Sequence, residues 1–132
     1  MASTREVLDR TLSMMALAES VEATTPGAAG LAYQAAELAV KAVLIELDGS
    51  DPWSDEQRYQ RAYELLGIDP ADLRFMHTVR LRDFYAHATR MTTDSGAVAY
   101  GLPLELPSEG DAQRCVQLAR RVVDGAIAVM SA

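Results

Sequence analysis

The sequence holds a single cysteine, Cys115, which excludes an internal disulfide framework; its apolar neighbours mark it as a small buried hydrophobe. Histidine is almost as scarce. His77 and His87 stand ten residues apart with no cysteine pair beside them, a poor inventory for a metal centre, and neither a metal nor a cofactor is expected. Aromatic residues make up only 6% of the chain against 49% apolar, with Ala and Leu prominent, a balance that favours helix over sheet. Positive charge is in deficit as well: 12 Lys and Arg face 19 Asp and Glu, and a net charge of −7 argues against non-specific binding to duplex DNA. The opening MASTREVLDR has charges in its first turns and no continuous apolar run, so neither a signal peptide nor a membrane span is expected, and the cytoplasm is the default location.

What is present is enough for one domain. A length of 132 residues suits a single core over 1–132, and five helices can be read from caps and periodicity. Ser3 with Glu6 forms a capping-box start for a helix running to about Ala23, with Val7, Leu8, Leu12, Met15 and Val21 as its apolar stripe. Thr25-Pro26 opens a second helix to about Leu47, with Leu31, Ala35, Leu38, Ala42 and Ile45 at steps of three or four. Ser54 with Gln57 starts a third that stops at Gly67, and Asp69-Pro70 opens a fourth. TTDSGAVAYGLPLELP reads as loop, and Ser108 to Ala132 as the last helix. The expected fold is all-α, an antiparallel four- to five-helix up-and-down bundle. The last helix looks apolar over more than one stripe, which implies burial on two sides and hence a homodimer.

Charge is unevenly spread. Residues 74–90 hold Arg74, Arg80, Arg82 and Arg90 against Asp83 alone, a local +3 that leaves −10 for the remainder of a chain totalling −7. Such an island suits a local anion site. Within RLRDFYAHATR, Asp83 and His87 are an i,i+4 pair able to hydrogen-bond, an arrangement that fixes the imidazole tautomer and favours its protonated form. Arg80 and Arg90 flank the same face. Arg82 is different: at about 100° per residue it lies roughly 140° from His87 around a straight helix. Either the helix ends or kinks between the two, or they converge on a substrate lying across the helix end. An arginine fork with a titratable histidine is what phosphodiester chemistry without a metal requires, the guanidinium taking charge and the imidazole moving protons. In RNA the attacking group is the neighbouring 2′-OH. The same residues also describe a solvated, salt-bridged helix end, and spacing alone does not choose.

Two stretches carry a family resemblance. LAYQAAELAVKAVLIELDG, Leu31 to Gly49, resembles the second-helix signature of HEPN domains, with Glu37 and Lys41 in an Ala-Glu-x-x-x-Lys core after Tyr33. RDFYAHA matches the R-x4-H motif of the catalytic HEPN ribonucleases through Arg82, Asp83 and His87. The resemblance implies a dimeric helical bundle whose paired Arg and His line a shared cleft and cut RNA without a metal. In the toxin branch it implies a nucleotidyltransferase antitoxin as partner, which modifies a tyrosine two places after the histidine. Thr89 stands there in this chain, which leaves that modification without its acceptor.

The expected function is therefore a metal-independent RNA endonuclease acting as a homodimer. His87 would be general acid–base, Arg82 would stabilise the transition state, and Asp83 would orient one of them. Arg80, Arg90, Glu37 and Lys41 would contact substrate. Glu37 either orients Arg82 or pairs with Lys41 in solvent. The alternative is a non-catalytic nucleotide- or substrate-binding subunit of a nucleotidyltransferase. His77 is expected at the surface and Trp53 as a loop anchor. One of Phe84 and Tyr85 belongs to the core, while Tyr100 stays unassigned.

Overall fold

The computed structural model describes residues 4–21, 26–50, 54–92 and 108–131, with the backbone alone at 4, at 26 and along 83–92. These residues form five helices: α1 (Thr4–Ser20), α2 (Pro26–Asp48), α3 (Asp55–Leu66), α4 (Pro70–Thr92) and α5 (Glu109–Ser131). The expected all-α bundle is what forms, and among the described residues no strand occurs.

Local chemistry sets the boundaries. Ser54, with extended backbone, accepts a hydrogen bond from the Gln57 amide at 3.2 Å and so caps α3. At the other end Gly67 adopts φ 68°, a left-handed conformation that glycine enters without penalty, and its N–H donates to the Tyr63 carbonyl. Asp69 Oδ1 accepts from Ala71 N at 2.9 Å and Pro70 takes the first helical position, so α4 starts where a missing N–H costs nothing. Ser108 Oγ does the same for α5 through Asp111 N at 3.1 Å. The expected caps at Ser3 and Thr25, the loop over 93–107 and Trp53 lie outside the described residues.

α2 is the hub. It packs most extensively on α1 and α5 and also touches α3 and α4. Of the apolar stripe expected for it, Ala35 and Ala42 are buried as expected and the other three need correction. Leu31, Leu38 and Ile45 lie at its half-buried margins, whereas Ala28, Ala29, Ala32, Ala35, Ala36, Ala39 and Ala42 are fully buried. Tyr33, Val40, Val43 and Leu44 are buried beside these alanines, whose small side chains let neighbouring helices approach closely. By length and composition Gly27–Asp48 also satisfies the test for a membrane span, with mean hydropathy 1.4, a pattern that a buried core helix produces equally well.

Two more expectations change. On α1 the buried line is Val7, Thr11, Met15 and Ala18, not Leu12 or Val21, which are 40% and 37% exposed. Thr11 tolerates burial because its hydroxyl donates to the Val7 carbonyl at 2.9 Å. α5 presents a single broad buried face, Ala112, Cys115, Val116, Leu118, Ala119, Val122, Val123 and Ala126, opposite exposed Gln113, Gln117, Arg121 and Asp124. Its own chain covers that face, so α5 does not by itself call for a partner subunit.

Candidate functional site

Of the residues singled out by sequence, Glu37 and Lys41 lie on α2, and Arg80, Arg82, Asp83, His87 and Arg90 lie on α4. Its first half is anchored by Leu73, Met76 and Val79, all nearly inaccessible to solvent. Spacings of three and four carry the same line of the helix onward to positions 83, 87 and 90. Asp83, His87 and Arg90 therefore occupy the continuation of that register on the backbone of one unbroken helix. Of the side chains in this stretch, those up to Arg82 are described.

The helix neither ends nor is interrupted near His87; it continues to Thr92. A helix terminus between Arg82 and His87 therefore cannot bring them together. On this path Arg82 stays roughly 140° from His87, while Arg80 is only about 20° from it, two turns away on the same side.

The two arginines have different surroundings. Arg82 Nη1 lies 3.5 Å from Asp111 Oδ2 in the first turn of α5, and both side chains remain more than one third exposed. Arg80 instead places its guanidinium over the ring of Tyr33 on α2, with Cζ 5.3 Å from the centroid. The ring of His77 also packs on Tyr33, at 5.3 Å between centroids and a 43° tilt. His77 is consequently half-buried, not at the surface as expected, and its Nδ1 is buried without a hydrogen-bond partner.

Tyr33 is the centre of this group, only 4% exposed. Burial, and next the charge of Glu37 one turn along α2, hold its phenol well above the ordinary tyrosine range, so it remains a neutral ring and hydroxyl. Behind it, Tyr33, Ala36, Glu37, Val40, Arg58, Tyr59 and Leu73 line a narrow cleft between α2, α3 and α4 with room for about one water. The Tyr59 hydroxyl is buried there without a hydrogen-bond partner, and burial raises its pKa too.

Glu37 follows neither expected course. It is exposed, it borders this cleft beside Tyr33, and no ion pair joins it to Lys41 or Arg82 among the described residues. Lys41 is exposed on α2. The cationic island is also smaller than a residue count implies: Arg74 is held by Glu56 at 2.7 Å and Arg82 by Asp111. The placements of the Asp83, His87 and Arg90 side chains, and those of Phe84, Tyr85 and Tyr100, lie outside the described residues.

Sequence reasoning missed Asp111 and the role of Tyr33. Asp111 is 29 residues beyond Arg82 and meets it only through the α4–α5 contact, for which no local pattern exists. Tyr33 had a detectable signal in its i,i+4 relation to Glu37, yet its partners on α4 are set by tertiary packing.

A family model described as the HEPN domain matches residues 16–126. The chain belongs to the HEPN domain family. The matched span runs from the last turns of α1 into α5 and includes Tyr33, Glu37, Arg80, Arg82, Asp83, His87 and Asp111. No curated protein and no solved structure matches the chain. HEPN domains are helical bundles and their family includes ribonucleases, so the arginine- and histidine-bearing α4 of this HEPN domain is its candidate site.

Proposed function

We propose that this HEPN domain is a metal-independent RNA endonuclease whose working unit is a homodimer. The observation that carries the reading is the Arg-x4-His pair on an uninterrupted α4 of a HEPN domain. His87 accepts the proton of a ribose 2′-OH as its oxygen bonds to phosphorus. The P–O5′ bond breaks, a proton is returned to the departing 5′ oxygen, and a 2′,3′-cyclic phosphate remains. Arg82 takes up the negative charge that grows on the non-bridging oxygens, and Asp83, one turn before His87, orients the imidazole. Arg80, Arg90, Glu37 and Lys41 bound the substrate path.

A homodimer suits the helix geometry. With Arg82 roughly 140° from His87 on one α4, a two-fold axis pairing two α4 helices brings the Arg82 of one copy towards the His87 of the other. A nucleotidyltransferase antitoxin belongs to the same reading, although Thr89 offers no phenol for it to modify.

One observation favours a second reading. Arg82 already faces the Asp111 carboxylate, which competes with a scissile phosphate for the guanidinium and so leaves room for a non-catalytic subunit that binds a nucleotide for a nucleotidyltransferase. End-group analysis separates the two. Incubated with RNA in excess chelator, the protein is expected to yield fragments with 2′,3′-cyclic phosphate and 5′-hydroxyl ends. Intact RNA at stoichiometric protein would overturn the ribonuclease and leave the binding subunit.

A further inference from the structure

We infer that Arg80, seated on the ring of Tyr33, is a fixed subsite for a second phosphate of the RNA strand, one flanking the phosphate that is cut. The inference rests on the ribonuclease reading for the identity of the anion; its geometry is independent of that reading.

Three observations converge. Among the α4 arginines with described side chains, Arg74 and Arg82 each face a carboxylate, whereas Arg80 has no acidic partner among the described residues, in a chain of net charge −7. Its described contact is the Tyr33 ring, which is 96% buried and braced by His77, so the platform cannot swing away with solvent motion. The contact fixes the cation by its Cζ over the ring, and the described residues place no carboxylate on its N–H groups, which are the groups that grip a phosphate.

Position then decides which phosphate. Arg80 and His87 share one side of α4 but are seven residues apart, about 10 Å along the axis. That offset suits Arg80 to a neighbouring phosphate, the phosphate under attack being assigned to Arg82 in the proposed site. Arg80 holds the strand one step away, where it aligns the backbone without taking part in bond changes. Tyr33 is a positioning residue in this arrangement, acting through Arg80.

The test measures binding of a 2′-O-methyl RNA oligonucleotide, which cannot be cleaved, to the full chain across a salt series. Arg80→Gln is expected to weaken binding several-fold and to lower the slope of log affinity against log salt by about 0.7, the loss of one single-strand phosphate contact. Tyr33→Leu should weaken binding in the parent but add nothing in the Arg80→Gln background, and Tyr33→Phe should behave as the parent. A purely structural Tyr33 would instead cause the same loss in both backgrounds. Unchanged affinity and slope in Arg80→Gln, or no binding by the parent, overturns the inference. A parallel arm compares cleavage of ordinary RNA by the parent and His87→Ala. Equal cleavage there defeats the ribonuclease reading alone, whatever the binding series gives.

Discussion

Arg82 Nη1 and Asp111 Oδ2 meet at 3.5 Å, joining the middle of α4 to the first turn of α5. Both side chains are more than one third exposed, so the pair contributes little to stability, under about 1 kcal/mol by analogy with other solvent-screened pairs. Its consequence is functional: the carboxylate competes with any phosphate that approaches the guanidinium. Replacing Asp111 with Asn is expected to leave the melting temperature nearly unchanged and to tighten RNA binding a few-fold. A fluorescence titration and a thermal melt on the same preparation check both. Weaker binding would mean that Asp111 positions Arg82 for its ligand.

Cys115 is fully buried, and desolvation pushes its thiol up to about 12. The protonated thiol of the native protein should therefore resist aromatic disulfide reagents at pH 8 and react fully once denatured. The sign for stability follows from the same shift. A group whose folded pKa lies above its unfolded value leaves stability intact below the unfolded value of about 9 and erodes it as pH rises from there towards 12. Denaturant midpoints at pH 7 and pH 10.5, compared with those of Cys115→Ala, measure this contribution.

Leu44 lies in the central helix with no solvent exposure, packed in the core that α2 shares with its neighbours. Truncation to alanine should cost about 2–5 kcal/mol, the range for a fully buried leucine that leaves a cavity behind. Chemical denaturation reads the value directly. A loss under 1 kcal/mol would show that α2 relaxes into the cavity.

Gly67 ends α3 at φ 68°, and a Cβ built there meets nothing within 4 Å. Gly67→Ala therefore tests backbone conformation alone, with an expected loss of about 1 kcal/mol from the left-handed strain. No loss would indicate that the turn can readjust.

Much of the fold was legible because its signals are local. Ser54 with Gln57, Gly67, Asp69-Pro70 and Ser108 each act within four residues, and each lies where its cap chemistry places it. The core was read less well. Periodicity weighted bulky residues such as Leu31 and Leu38, which are half-buried, while seven alanines of α2 are fully buried, and their importance comes from what they permit neighbours to do. For the site, motif spacing put Arg82 and His87 on one helix but gave no account of Asp111, 29 residues away, or of the Tyr33 ring beneath Arg80. Such partnerships are products of tertiary packing.

The composite site is tested most directly by mixing two inactive variants. Arg82→Ala and His87→Ala homodimers should each fail to cut RNA while keeping their helicity. When exchanged into mixed dimers, one of the two sites regains an intact arginine and an intact histidine, so a statistical mixture should recover about one quarter of the parent activity. Recovery at that level is what the account predicts. No cleavage after verified subunit exchange, alongside an active parent, would contradict a site shared between two copies of α4.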